Sequence, residues 1–418
     1  MSEGARELDT FLDALATTVD EQLAEADRVL AMDYPGDPGT RQPVHTVYVP
    51  ADLADESTPA QWGTEARTLL DGFCTQETVD EEVHARVDEK LSEQPIEDLR
   101  IDFEDGYGNR PDEEEDATAR TAGALLTKLL AESHGPFIGG IRFKSLELAT
   151  RRRGVRTLTL LVDSVLDAGP PPDGFLVTLP KVTSVDQVEA MVELCARLEE
   201  RHGLPAGQLR FEIQIETPQA ILGAVGRAPV APMVHTAGSR CVGLHYGTYD
   251  YSAACGVSAA YQSMEHPVAD HAKAVMQVAA AGTGVRLSDG STNVLPVGDN
   301  DQVLAAMRLH ARLVRRSLER GYYQGWDMHP GHLATRYLAT YAFYREGLPA
   351  AATRLRNYLS RSAAGVMDEP ATAQALAAFV TRGLHCGALD ETEVVEATGV
   401  GRQALDALAR RLPNQDIS

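Results

Sequence analysis

LRIDFEDGYGNRPDEEEDATARTAGALLTKLLAESHGPFIGGIRF, residues 99–143, reads as a strand, a helix and a second strand. The short apolar runs LRIDF (99–103) and GGIRF (139–143) flank a stretch from Glu113 to Ala131 with helical patterning. A strand that returns through a helix lies parallel to its predecessor, because a tight turn cannot make that connection. The acids Asp112 to Asp116 fall in the helix's first turn, where carboxylates oppose the dipole.

The same alternation extends in both directions. HTVYVP (45–50) precedes the unit; GFLVTL (174–179), RFEIQI (210–215), RCVGLH (240–245), GVRLS (284–288) and QGWDM (324–328) follow it. Helical stretches such as Val155 to Ala168 and Val185 to Arg201 are long enough for crossovers. Eight strands with intervening helices predict an α/β chain, a closed (β/α)8 barrel of the TIM type. Residues 1–42 form an N-terminal helical segment, 43–345 the barrel and 346–418 a C-terminal helical extension or lid, with breaks expected at Gly347-Leu348-Pro349 and Asp368-Glu369-Pro370. From about residue 5 to 31, Leu8, Phe11, Leu12, Leu15, Val19, Leu23, Val29 and Leu30 recur at helical spacing, and this face is expected to join the core.

Composition narrows the function. The 418 residues carry a net charge of −23, which argues against nucleic acid, whose phosphates need clustered Lys and Arg. Five scattered cysteines with no CxxC pair read as reduced thiols rather than a zinc site or a disulfide framework. The polar N-terminus shows no signal-peptide pattern and no stretch reaches the apolar length of a membrane span, so a cytoplasmic location and no membrane partner are expected.

Active sites of such barrels lie at the C-terminal ends of the strands. Here those ends are polar: Asp102, Glu104 and Asp105 after strand two, Arg142 and Lys144 at strand three, Lys181 after strand four, Glu216 after strand five, Asp250 after strand six, and Asp327 and His329 at strand eight. Glu216 ends the alternating run FEIQI, and Asp250 follows Gly243 and Gly247, which let the backbone turn and leave room beside a bound ion. Two hard carboxylates on adjacent strands suit Mg2+ or Mn2+ rather than zinc. His245 and Asp289 are further candidates, the latter also an ordinary turn residue.

In this order, IDFEDGYG (101–108), GGIRF (139–143), LPK (179–181), IETPQAI (215–221), GTYDYSAACG (247–256) and GWDMHPGH (325–332) resemble the aldolase/citrate lyase superfamily, over roughly residues 43 to 375. That family includes the citrate lyase beta subunit, malyl-CoA lyase and, more distantly, malate synthase. The resemblance implies a carbon–carbon lyase or aldolase, or the reverse condensation, acting on a small oxo acid or hydroxy acid, free or as an acyl-CoA. It implies that Glu216 and Asp250 bind Mg2+ and that Arg142 contacts the substrate oxygens. A divalent ion and a guanidinium beside a carbonyl stabilise the enolate that such chemistry generates. Asp102, Glu104 and Asp105 match the family's acidic group after strand two, and Lys181 pairs with that group or with the substrate. His329 either orients a ligand or bonds the strand end.

Within GVMDEPATAQAL the general base is Asp368 by comparison with malyl-CoA lyase and Glu369 by comparison with malate synthase. In relatives this segment is a lid, sometimes from a neighbouring subunit, so a homo-oligomer is expected. Two alternatives belong to other classes: a barrel that senses an oxo acid or acyl-CoA without turning it over, and a DNA-binding regulator built on the helix-turn-helix pattern of residues 390–411. The acidic composition and Asp406 beside Arg402, Arg410 and Arg411 favour a helix hairpin packed on the barrel over the second.

Overall fold

The computed structural model describes residues 3–167, 169–360 and 369–411. Its strands are β1 (His45–Pro50), β2 (Asp98–Asp102), β3 (Ile138–Arg142), β4 (Phe175–Leu179), β5 (Phe211–Ile215), β6 (Cys241–Tyr246), β7 (Arg286–Ser288) and β8 (Gly325–Asp327). Each lies within a residue or two of its sequence reading. All neighbours pair in parallel in the order β7-β6-β5-β4-β3-β2-β1-β8. A bridge between Ser288 and Gln324 brings the two end strands together, and the eight-stranded barrel follows.

The helices are α1 (Glu3–Asp33), α2 (Thr58–Cys74), α3 (Glu81–Glu93), α4 (Asp112–Ala131), α5 (Arg151–Leu166), α6 (Val185–His202), α7 (Pro218–Ile221), α8 (Val230–Ala237), α9 (Thr248–Ala254), α10 (Pro267–Ala280), α11 (Asn300–Glu319), α12 (Pro330–Leu359), α13 (Pro370–Cys386), α14 (Glu391–Thr398) and α15 (Arg402–Arg410). None is long and apolar enough to cross a membrane. α12 runs unbroken through Pro349, where a break was expected. The missing amide costs one backbone hydrogen bond, but Leu348, Ala351, Ala352 and Leu355 are buried on one face and hold the helix together.

Alternation along the strands divides the apolar and polar side chains. Leu99, Ile101, Ile141, Val177, Phe211, Ile213 and Leu244 are buried in apolar clusters with the surrounding helices. The alternate residues Asp98, Arg100, Thr178, Glu212 and His245 converge on one another, which places them together inside the barrel. Arg100, wholly buried, contacts Asp98, donates from Nε to Thr178 Oγ1 at 3.1 Å and from Nη2 to Glu212 Oε1 at 2.8 Å. His245 Nε2 lies 3.2 Å from the same Glu212 oxygen. Barrel interiors of this type are usually packed with Val, Ile and Leu; here an ion network fills the middle.

A second expectation fails. The apolar face of α1 does not join the core: every residue from Arg6 to Met32 is exposed. Helical spacing shows that a face is apolar, while only the tertiary arrangement decides what covers it.

Candidate active site

Register places the first pair of site residues. Asp102 and Arg142 end β2 and β3 side by side, and Arg142 donates from Nε and Nη2 to the two oxygens of Asp102, each at 2.7 Å. Asp102 also accepts from the backbone amides of Glu104 (3.0 Å) and Gly106 (2.9 Å), so its oxygens are committed to holding the guanidinium and the following turn. A Cβ at Gly106 would stand 2.6 Å from Asp102 Oδ2, so that turn requires glycine. The third nitrogen of Arg142, Nη1, lies 3.6 Å from Glu104 Oε2. The Arg142 guanidinium sits 4.7 Å from the ring centre of Tyr48 and 5.6 Å from that of Trp326. These two rings, on β1 and β8, went unremarked in the sequence.

Beside this pair, four carboxylates gather around one lysine. Lys181 Nζ lies 2.7 Å from Glu104 Oε1, 2.8 Å from Asp105 Oδ2 and 3.4 Å from Asp250 Oδ2. Its backbone amide donates to Glu216 Oε1 at 2.7 Å. To serve both contacts Lys181 adopts φ 50°, a left-handed conformation costly for a residue with a Cβ. Gln214 donates to the other oxygen of Glu216. Gly247 lets the β6–α9 turn pass: a Cβ there would lie 2.5 Å from Glu216 Cβ. Asp250, in the first turn of α9, remains exposed, whereas Glu216 is buried.

The electrostatics follow from one ammonium among four acids. Burial foremost, with the negative charge of Asp250 and Glu104 against the opposing pull of Lys181, pushes the Glu216 carboxyl from 4.5 to about 8. Burial also raises Glu104 despite Arg142 and Lys181. For Lys181 itself burial works against the charge, but Glu216 and Glu104 outweigh it and hold the ammonium well above its ordinary value. Four acids beside Lys181 and Arg142 fit a hard divalent ion, for which Glu216 and Asp250 could supply oxygens. Without metal, the folded chain keeps a proton on Glu216 that the unfolded chain releases above about pH 4.5, so this group lowers the stability of the fold progressively from about pH 4.5 to 8. Urea unfolding of chelator-treated protein should show that decline, and Glu216→Gln should flatten it; an equal slope in both proteins would contradict the raised carboxyl.

The other sequence candidates lie elsewhere. His245 points into the barrel interior against Glu212. His329 caps α12, its Nδ1 accepting from Gly331 N at 3.1 Å, with Nε2 3.7 Å from Glu65. Lys144 is buried behind the site, donating to Phe103 O, Gly108 O and Glu115 Oε2 at 2.8–3.0 Å, which fastens the β2–α4 loop. Asp289 is consumed by Lys273 (2.9 Å) and Ser317 (2.6 Å). Glu369 is exposed at the N-cap of α13, and Asp368 lies outside the described residues. In α15, Arg402 pairs with Glu391 at 3.3 Å and Arg410 donates to Asp37 O at 3.2 Å, while Leu405 and Ala407 are buried.

A second group, His310, Asp327 and His332, also brings potential ligand atoms together. Arg336 already donates to both Asp327 oxygens at 2.7 and 2.8 Å, and His310 Nδ1 lies 2.7 Å from Thr335 Oγ1. A guanidinium on the only carboxylate leaves no place for a second cation, so this is a structural network behind β8. Cavities of about 650 and 340 Å3 both border Arg286, the first residue of β7, at the opposite end of the strands and contain none of the four carboxylates. Chemistry, not volume, marks the site.

The family described as a domain of unknown function, DUF6986, matches residues 23–412. The chain belongs to that family. A stretch of 107 residues is 36% identical to the L-malyl-CoA/beta-methylmalyl-CoA lyase of Haloarcula marismortui, covering 25% of this chain and 28% of that protein. The Haloferax volcanii malate synthase structure with magnesium and glyoxylate superimposes with a TM-score of 0.50 at 16% identity, over 88% of this DUF6986 chain and 98% of the synthase. The CitE protein of Mycobacterium tuberculosis, in complex with magnesium, acetoacetate and coenzyme A, gives 0.48 at 19% identity, over 84% of this chain and 99% of that one. Malyl-CoA lyase, malate synthase and citrate lyase beta subunit are the proteins of the aldolase/citrate lyase superfamily that the motif order resembles; at 16% identity the likeness to the malate synthase structure is one of fold.

Proposed function

We propose that this DUF6986 protein is a divalent-cation-dependent carbon–carbon lyase or aldolase, acting in either direction on a small 2-oxo or hydroxy acid, free or as a CoA thioester. The observation that carries this reading is the convergence of four carboxylates on one lysine, Glu104, Asp105 and Asp250 on its ammonium and Glu216 on its backbone amide, next to an arginine clamped by Asp102. The local likeness to a malyl-CoA lyase supports it.

Breaking a carbon–carbon bond next to a carbonyl leaves an electron pair that spreads onto the carbonyl oxygen, and a proton delivered to carbon completes the cleavage. The chain must therefore present fixed positive charge to that oxygen. Arg142 does so because Asp102 immobilises it through two hydrogen bonds and the Tyr48 and Trp326 rings shield it from water. Mg2+ held by Glu216 and Asp250 would add a second positive charge at the same place. Lys181 draws Glu104, Asp105 and Asp250 together and offsets part of their mutual repulsion.

Calorimetric titration of metal-stripped protein with Mg2+, with and without pyruvate, oxaloacetate and glyoxylate, tests the reading. Metal-dependent binding of one oxo acid is expected; an oxo acid that binds equally well without metal would defeat it. Lys181→Met should tighten Mg2+ binding by about tenfold, since a positive charge a few ångströms from a cation site opposes it by roughly 1–4 kcal/mol. Weaker metal binding in that variant would show that Lys181 builds the site rather than competes with the ion.

A further inference from the structure

The largest unexplained feature is α1. Its exposed side chains include Leu8, Leu12, Leu15, Val19, Leu23 and Leu30, each 44–59% exposed. Among the described residues the helix is tied to the barrel near its end, where the Tyr34 ring packs on His235 and Gly36 N donates to Gly282 O. An amphipathic helix of 31 residues does not keep such a stripe in water when a partner can cover it.

The spacing specifies the partner's shape. Leu8, Leu12, Leu15, Val19, Leu23, Ala26 and Leu30 follow one another in steps of 4, 3, 4, 4, 3 and 4 residues. Two successive 11-residue repeats, about 3.67 residues per turn, keep the seam nearly parallel to the axis of a helix about 46 Å long. Such a seam fits another helix better than a rounded surface.

The step order also reads the same from either end, centred on Val19. An antiparallel copy therefore sets Leu8 against Leu30, Leu12 against Ala26, Leu15 against Leu23 and Val19 against itself, the self-complementarity that a two-fold interface demands. The helix has nine acids and two bases, Arg6 and Arg28, and neither base lies on the seam. Its acidic polar face opposes docking on anionic lipid, which selects Lys and Arg. With Phe11 and Val29 flanking the seam, pairing hides about 700 Å2 per copy, within the range of specific interfaces.

We infer that α1 is a dimerisation arm that pairs antiparallel with α1 of a second copy of this chain. Sedimentation equilibrium of the full chain at micromolar concentration should show a dimer. Leu15→Glu with Leu23→Glu should weaken it by at least about 100-fold and leave barrel unfolding unchanged, since both side chains are exposed in the described structure. In a Cys255→Ser background, which removes the exposed native thiol, Val19→Cys should form a disulfide-linked dimer on oxidation. Leu8→Cys alone should not, because its counterpart lies about 33 Å away, whereas Leu8→Cys mixed with Leu30→Cys should. A monomeric chain, a dimer that survives the double glutamate variant, ready cross-linking by Leu8→Cys alone, or a chain that is monomeric in solution and sediments with phosphatidylglycerol vesicles would each overturn the inference.

Discussion

Glu216→Ala is expected to lower kcat/KM for the proposed oxo-acid reaction by about 10²–10³-fold, the usual loss when one direct source of charge stabilisation at a developing oxyanion is removed. The same variant should lose Mg2+ binding in calorimetry, and with it the metal-dependent binding of oxo acid. Because Glu216 is buried with its carboxyl raised to about 8, removing it relieves the metal-free fold of an unfavourable group, so the variant should unfold no more easily than the parent at neutral pH without metal. That combination separates a ligand from a structural acid. Asp250→Ala should behave alike toward metal, with less effect on stability because Asp250 is exposed. Activity within tenfold of the parent in either variant would remove Glu216 and Asp250 from the site.

Arg100→Met should cost about 3–5 kcal/mol of stability, the usual penalty for deleting one member of a buried ion network. The guanidinium serves Asp98, Glu212 and Thr178 at once from a position with no solvent access. Without it two carboxylates remain inside the barrel facing each other, with His245 and the Thr46 and Thr178 hydroxyls as their neighbouring partners. Lysine would not restore the loss, since one ammonium cannot reproduce a planar fork that reaches three acceptors. Denaturant unfolding measures the effect directly, and adding Glu212→Gln to Arg100→Met should recover part of it by removing one stranded charge. A loss below about 1 kcal/mol would mean that water or a rearranged neighbour satisfies the acids.

Much of the site was legible because strand ends are readable. The apolar run FEIQI stops at Glu216, and βαβ alternation puts that position at the same end of the barrel as Asp102, Arg142, Lys181 and Asp250. The strand also carried a signal that was passed over: Glu212, Gln214 and Glu216 alternate with Phe211, Ile213 and Ile215, so a polar row faces one way. Reading that row as inward would have exposed the ion network, since the helices cover the apolar face. His245 looked like a site residue because it precedes the Asp250 segment, yet it sits a layer below, against Glu212.

The sequence by itself determined the eight strands, their parallel order of connection and the set of charged side chains at their C-terminal ends, because period-2 and period-3.6 patterns are local and survive without knowledge of contacts. Only the tertiary structure decided which charges meet. Strand register brought Arg142 to Asp102 rather than to Glu216, a left-handed backbone turned Lys181 into the carboxylate cluster, and the barrel left the apolar seam of α1 uncovered. Pairing between distant segments depends on register and on competition for partners, and neither is written in the spacing of any one element.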